Sequence, residues 1–533
     1  MSASPTTPDA APLRRRPSLD GRWVRIGLAL LAGAGAALAH PPFGFLPGLL
    51  GYPLLLILSE RSRTTRGGFW MGWLAGFAYF FVSCWWVAEA FLVDPAQAWM
   101  APFAASLLPI GLALFWGVAT ALYRRLAPVG MRRVLVFAAL FCALEWLRGH
   151  VLTGFPWNPA GASWKAGSAA SQFAAVVGVY GLSFVTVAAV SAFAPLATGE
   201  ARRPRAITAA LGVLVLIGLV GGGLSRLSQA RVVPTEVLVR IVQADIDQTT
   251  KWSPEVYQSI LDRYLRLTVQ SAGRRPDLIV WPEGALPATA NDVFGSSDAV
   301  ALAGAVQPGQ SLILGLGRGE PDPSVAEGAR YYNSLMVLTD EGGNGLRLTS
   351  VYDKHRLVPF GEYLPGSAVL TPLGFRALTH MPLDFTPGPR PAPISIRGAG
   401  RAQPLICYEG LYPGFTPAGS GRPGWIINIS NDAWFGRTSG PVQHLNLASY
   451  RAIETGLPII RSTPTGVSAV IDPWGRVVPG QSLGMGEEGV IDAFLPRPAP
   501  ATPYGRWSDI PFAAAVVAGL LAALRRRRAR PNV

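Results

Sequence analysis

Half of the 533 residues are hydrophobic and only 15% are charged, which excludes an ordinary soluble enzyme of this length and points to a membrane protein. The formal net charge of +14 loses its suggestion of nucleic acid once it is divided along the chain. Residues 231–508 carry 23 Lys+Arg against 24 Asp+Glu and the remainder 23 against 8, so the basic excess belongs to the apolar part and needs no nucleic-acid partner.

A basic tail over residues 1–22, expected to be cytoplasmic, precedes the first apolar run. Apolar runs then predict about eight transmembrane helices, near 23–39, 43–59, 68–92, 99–123, 133–149, 171–196, 206–224 and, after a long gap, 509–524, each close to the ~20 residues that cross a bilayer core. Arginines fill every second connection: Arg14 to Arg16, Arg22 and Arg25 at the start, Arg61, Arg63 and Arg66, Arg124, Arg125, Arg132 and Arg133, Arg202, Arg203 and Arg205, and Arg525 to Arg528 at the end. The intervening loops HPPFG at 40–44 and LVDPAQ at 92–97 carry almost no positive charge. This alternation predicts both termini inside and residues 225–508 outside. The first run also reads as a cleaved signal peptide; a retained helix is preferred because further spans follow at once, and either reading leaves 225–508 on the same side. The organisation expected is therefore a tail at 1–22, a membrane domain with about seven helices at 23–224, an outer domain at 225–508, a last helix at 509–524 and a basic tail at 525–533. Glu89 and Glu145 are nearly the only acidic groups within the spans, where a transporter would need functional charge.

Between 225 and 508, short strand-like runs alternate with Pro/Gly turns. Four runs end in polar residues: DLIVWPEGALP at 277–287, SVYDKHRLVPFGEYLP at 350–365, PLICYEGLYPG at 404–414 and GWIINISNDAWFG at 424–436. Core strands of this kind deliver their last residues to one rim of a sheet, where rigid elements hold reacting groups.

The three cysteines are Cys84 and Cys142, inside predicted spans, and Cys407, alone in its domain. No intradomain disulfide is possible, and a zinc site would lack thiol pairs. The five histidines are scattered; His355 and His444 lack ligand spacing, so no metal and no cofactor are expected. Cys407 is a buried packing thiol or a nucleophile. A nucleophilic thiol needs a base and a cation or N–H donors for the oxyanion; Glu283 and Lys354 sit at the ends of the other runs and suit those parts.

WPEGALP, YDKHRLVPFGEYLP and CYEG, in that order, resemble the Glu, Lys and Cys motifs of the nitrilase (carbon–nitrogen hydrolase) superfamily. With the flanking apolar segments, the chain from about 20 to 525 resembles the apolipoprotein N-acyltransferase family of the bacterial inner membrane. The resemblance implies an αββα sandwich of two mixed sheets, an α+β domain beside the helical membrane domain, with 444–458 as an outer helix. It implies Glu283 as general base, Lys354 as oxyanion-stabilising lysine and Cys407 as nucleophile. Glu362 matches a second carboxylate near the triad, either holding Lys354 or moving a proton. Tyr408 and Glu409 match the residues after the nucleophile, the Tyr408 N–H being a second oxyanion donor. Trp252 matches an aromatic on a loop over the entrance, or an interfacial anchor.

The implied reaction moves the sn-1 acyl chain of a membrane phospholipid to Cys407 as a thioester and then to the α-amine of a diacylglyceryl-apolipoprotein, on the periplasmic side. Each CH₂ exposed to water costs roughly 0.8 kcal/mol, so lifting a 16-carbon chain from the bilayer costs on the order of ten and the site must come to the lipid. The loop at 148–167, with Trp157 and Trp164, either lines that entrance or forms an interfacial belt. The alternatives are a membrane-anchored nitrilase-type amidase that transfers to water, and a transport or binding scaffold.

Overall fold

The computed structural model describes residues 21–126, 128, 130–197, 201–325, 328–342, 345–373, 377–378 and 383–524; Arg14 to Arg16 and the tail at 525–533 lie outside them. Every predicted apolar run contains a helix: Arg22–Leu38, Gly51–Arg61, Thr65–Cys84, Ala101–Leu126, Arg132–Arg148, Ala174–Ser191, Arg202–Ser228 and Ile510–Leu524. Their lengths differ. Thr65–Leu92, Pro95–Leu126, Ala170–Ala197 and Arg202–Ser228 are long and apolar enough to cross a bilayer. Arg22–Leu38 has 17 residues and Gly51–Arg61 has 11, which at about 1.5 Å per residue fall short of a core roughly 30 Å thick. Length and hydropathy by themselves carry four of the eight expected crossings.

Small residues set the helix packing, because lipid gives apolar helices no hydrophobic reason to associate and close van der Waals contact must do so. In the first helix, a Cβ on Gly33 would stand 1.8 Å from the Ala75 carbonyl oxygen. Any larger residue there separates Arg22–Leu38 from Thr65–Cys84.

Twelve strands follow: β1 (Pro234–Gln243), β2 (Leu278–Val280), β3 (Ser311–Pro321), β4 (Ala329–Asp340), β5 (Leu346–Asp353), β6 (Ile394–Ile396), β7 (Gly400–Ile406), β8 (Trp425–Ile429), β9 (Ile459–Ser462), β10 (Ser468–Ile471), β11 (Val477–Leu483) and β12 (Gly489–Pro496). They form two six-stranded mixed sheets, ordered β12-β1-β2-β3-β4-β5 and β11-β10-β9-β8-β7-β6. In each, the central strands run parallel, β1, β2 and β3 in the first and β7, β8 and β9 in the second.

Period-two alternation explains the layering. Leu278 and Val280 of β2 face Ile427 and Ile429 of β8 in the core between the sheets. Ile279 and Trp281 face the other way, onto the helix Tyr257–Thr268, through Ile260, Leu261 and Tyr264. On the second sheet, Leu405, Ile426 and Ile459 face the helix Gly440–Thr455, whose own far side joins the core of the membrane helices.

That last helix differs from expectation. It runs over 440–455 rather than 444–458, closed by Gly456 at φ 70°, a left-handed cap that favours glycine. It covers the second sheet, as an outer helix of the sandwich should, and its far side packs on the apolar helices rather than facing water. Tyr450 OH donates to the Gly161 carbonyl (2.9 Å), Asn446 Nδ2 to Ala162 (3.0 Å), and Glu454 accepts from Val179 N–H (2.9 Å). The helix is thus held between the second sheet and the apolar helices, and polar residues on its far side are spent on backbone groups.

Trp157 lies in the same interface. It is 1% exposed, donates through Nε1 to Gln443 Oε1 (2.8 Å) and packs on Trp86 at 4.5 Å between centroids. It belongs neither to an entrance nor to an interfacial belt. Half-buried Trp164 donates to Thr186 Oγ1 at 2.9 Å.

Candidate active site

The ends of β2, β5, β7 and β8 meet at one rim. Glu283 follows β2 by three residues, Lys354 follows β5 directly, Cys407 follows β7 directly, and Asn431 follows β8 by two. Parallel central strands place their carboxyl ends together, so residues 148 positions apart in the chain touch: Asn431 N–H donates to Glu283 Oε2 at 2.7 Å.

Lys354 sits at the centre, 1% exposed, with Nζ 3.0 Å from both Glu283 Oε1 and Glu362 Oε1. Asn333, from β4, donates through Nδ2 to the same two oxygens at 2.7 Å each. Glu362 Oε2 accepts from Val358 N–H at 2.8 Å. Burial by itself would lower the lysine, but Glu283, Glu362 and Cys407 reverse the sign and hold its ammonium well above the ordinary range. Gly315 in β3 makes the approach possible, since a Cβ there would lie 2.6 Å from Glu283 Cα.

Cys407 stands at a sharp corner. Its φ is +48°, a left-handed conformation that costs a non-glycine residue of order 1 kcal/mol or more and persists only where the surroundings impose it. They do so here. His444 Nε2 lies 3.2 Å from the Cys407 carbonyl oxygen, and Nδ1 lies 2.8 Å from Asp432 Oδ1. Arg461 Nη2 reaches Asp432 Oδ2 at 2.7 Å. Burial opposes ionisation of Asp432, yet Arg461 and His444 outweigh it and hold the carboxyl down at about 2. The thiol is 7% exposed, and burial pushes it up; the Glu283 charge adds to the rise, while Lys354 opposes it. The resting group is therefore a thiol with the Glu283 carboxylate nearby.

Glu409 supports the corner from behind. Its Oε1 accepts from Tyr352 OH (2.6 Å), His355 N–H (2.8 Å) and Arg356 N–H (3.1 Å), and its Oε2 accepts from Ile406 N–H (2.8 Å). It bridges the residues after Lys354 to the residue before Cys407. Burial raises it to about 7 in spite of these donors. Glu409→Ala leaves four donors without an acceptor, and a buried unsatisfied group costs about 1–3 kcal/mol. The expected result is a loss of at least about 3 kcal/mol of stability, read by thermal unfolding in detergent, with faster alkylation of Cys407.

Tyr408 turns its ring away from the thiol. Its OH donates to the Gly154 carbonyl at 2.8 Å, and Tyr412 OH donates to Thr153 at 2.9 Å, tying the corner to the loop between the helices Arg132–Arg148 and Ala174–Ser191. The Tyr408 N–H lies at the start of the 3₁₀ turn Cys407–Leu411, where leading N–H groups have no partner within the turn. Trp252 is half-buried in the turn before the helix Tyr257–Thr268. Its neighbour Lys251 is buried, places Nζ 5.8 Å from the Trp252 ring centroid and donates to the Gly284 carbonyl beside Glu283; burial lowers this lysine to about 8, against the pull of Glu283.

Asn333, Asn431, Lys251 and the His444–Asp432–Arg461 set escape sequence reasoning. Asn431 and Asp432 carried a signal, both being in the last of the four polar-ended runs, and His444 stood out only as a poor metal ligand. Among the described residues, no group of three or more His, Cys, Asp or Glu side chains stands where it could hold a metal ion.

The comparisons with known proteins agree with both halves of the chain. The family described as "Apolipoprotein N-acyltransferase N-terminal domain" matches residues 32–192, and "Carbon-nitrogen hydrolase" matches residues 238–499. An apolipoprotein N-acyltransferase of Caulobacter vibrioides is 52% identical over 94% of each chain. One of Rhodopseudomonas palustris is 38% identical over 95% of this chain and 96% of its own, and one of Allorhizobium ampelinum 39% identical over 92% and 93%. A carbon–nitrogen hydrolase sandwich docked on apolar helices, with relatives similar over nearly the whole length, places this chain in the apolipoprotein N-acyltransferase family.

Proposed function

We propose that this chain moves the sn-1 acyl group of a membrane phospholipid, through a Cys407 thioester, to the α-amine of a diacylglyceryl-apolipoprotein. The observation that carries this reading is the buried Lys354 ammonium, held by Glu283 and Glu362 at 3.0 Å each, beside a thiol whose corner is bonded to a membrane loop through Tyr408 and Tyr412. That placement supports an acyl-transfer site close to the apolar helices rather than one in open water.

Cys407 Sγ attacks the ester carbonyl carbon while Glu283 takes the thiol proton. Lys354 and the Tyr408 N–H stabilise the oxyanion. The C–O bond breaks, the proton returns to the departing lysophospholipid oxygen, and a thioester remains. In the second half, the acceptor nitrogen attacks the thioester, Glu283 takes its proton, the C–S bond breaks, and the sulfur is reprotonated as the amide forms. Glu362 holds Lys354 in place with Asn333, Glu409 holds the corner, and Trp252 covers the approach. All eight helices cross or enter the inner membrane, with residues 23–224 and 509–524 as the membrane part, 225–508 as the periplasmic catalytic part, and the tails at 1–22 and 525–533 in the cytoplasm, as the alternating arginines imply.

Intact-protein mass measurement tests the reading. Incubation with phospholipid vesicles is expected to add the mass of one acyl chain, absent in Cys407→Ala, and a diacylglyceryl-cysteine peptide is expected to discharge it far faster than buffer does. Equal discharge by water and peptide would make the protein a hydrolase, and no mass gain would end the proposal.

A further inference from the structure

Beside the catalytic rim lies a cavity of about 380 Å³, walled by the outer end of the Thr65–Leu92 stretch, the turn after β1 and the turn after β8. Glu89, Asp245 and Asp247 line it, with Arg437 exposed at its rim, so its wall is net acidic. Glu89 leans on Gly436, where a Cβ would stand 2.9 Å from Glu89 Oε2, and Gly436 has φ +59°; a side chain there would push the carboxylate away. Two buried polar groups line it, Asp432, already paired with Arg461 and His444, and Gln248, 4% exposed. Its Oε1 accepts from Asn431 Nδ2 at 3.3 Å, while its Nε2, on the cavity wall, has no hydrogen-bond partner. A buried amide donor without an acceptor costs about 1–3 kcal/mol and calls for a ligand oxygen.

We infer that this cavity receives the N-terminus of the acceptor: Glu89, Asp245 and Asp247 take its α-ammonium, and Gln248 Nε2 donates to the carbonyl oxygen of the same first residue. The inference rests on the acyl-transfer reading above and names where its second substrate waits. An α-amine titrates near 8, so at neutral pH it arrives mostly charged and must lose a proton before it attacks. The base that takes it lies close by. Gln248 bonds Asn431, and the Asn431 N–H bonds Glu283 Oε2 at 2.7 Å, so the cavity ends one residue from the base. This proximity favours the acceptor over the ethanolamine of a donor lipid, whose nitrogen is many bonds from its ester and has no need of the base.

The test uses the full-length protein in nanodiscs and separates the two half-reactions. Acyl-enzyme is formed first from phosphatidylethanolamine or phosphatidylglycerol, and its discharge by a diacylglyceryl-cysteine peptide is then followed by mass. In Glu89→Gln and in Asp247→Asn, discharge at low peptide concentration is expected to slow about tenfold relative to loading, as for loss of one charge-assisted contact, with loading in the same samples reporting that the variants fold. Addition of a peptide lacking the α-amine should slow discharge of the wild type less than that of the variants, since only the amine-bearing peptide gains from the carboxylates. Loading that falls for phosphatidylethanolamine but not for phosphatidylglycerol would assign the cavity to the donor head group and overturn the inference, as would unchanged ratios. A wild type that never forms acyl-enzyme would instead refute the acyl-transfer reading itself.

Discussion

Lys354→Ala is expected to lower thioester formation and thioester discharge alike, each by about 10²–10³-fold, the size of effect seen when one oxyanion donor is removed. Both half-reactions pass through an oxyanion, so both must suffer. A second consequence follows from the geometry. Glu283 Oε1 and Glu362 Oε1 each lie 3.0 Å from the same ammonium and 2.7 Å from the same Asn333 nitrogen. Without the cation two buried carboxylates share one neutral donor, and their mutual repulsion moves Glu283 out of register with the thiol. Even a substrate that brings its own oxyanion stabilisation is therefore expected to react slowly. Rapid-quench mass analysis of each half-reaction checks this, and a change confined to the apparent affinity for lipid would remove the lysine from the chemistry.

Glu283→Gln is the second large effect, and its signature is a divergence between thiol acidity and acyl transfer. The Glu283 charge contributes to the raised position of the Cys407 thiol, after burial, while Lys354 opposes it. Removing the charge leaves the lysine unopposed, so the pH midpoint for alkylation of Cys407 is expected to move down. Loading from phospholipid is nevertheless expected to fall by about 10²–10⁴-fold, the contribution of a positioned general base, because no group remains to carry the proton from thiol to leaving oxygen. If loading instead rose along with alkylation, Glu283 would be an electrostatic brake and not the base.

These two experiments bear on different parts of one arrangement. Lysine and carboxylates are too costly to bury singly, and a buried charge survives only with partners; the rim satisfies this by making Lys354, Glu283 and Glu362, the groups proposed for the chemistry, partners of each other. The same bonds that hold the fold at the rim hold the reactants in register. Loss of Glu409, which touches no reacting atom, therefore reaches Cys407 through Ile406 and reaches Lys354 through His355.

Much of the architecture was legible from the residue order. Apolar runs predicted where helices form, since a segment whose side chains are apolar all round can be satisfied only by lipid or by other helices, and the near-neutral stretch with short alternating runs predicted the sheets. The run DLIVW predicts a core strand ending near Glu283, and LIC predicts one ending at Cys407, because side-chain alternation and a terminal turn are local properties. Local pattern failed where contacts are long-range. The helix at 440–455 is expected only through the family resemblance, and nothing local shows what its polar residues bond: the partners of His444, Asn446, Tyr450 and Glu454 are the Cys407 carbonyl and the backbone of 161, 162 and 179, which the order of residues does not bring near. Trp157 reads as lining an entrance or as part of an interfacial belt because it lies in a loop between apolar runs, and its partners Gln443 and Trp86 are likewise distant in the chain. Asn333 sits mid-strand in β4 with no local mark, and only the pairing of β4 with β3 and β5 places it over both carboxylates. What the amino-acid order determined alone was which segments are apolar, which alternate, and which chemically able residues end them. Which of those residues share a charge, which corner is strained and which helix is sandwiched depended on tertiary structure, because a hydrogen bond acts over about 3 Å and the chain brings its distant parts that close only when both sheets and the membrane helices have packed.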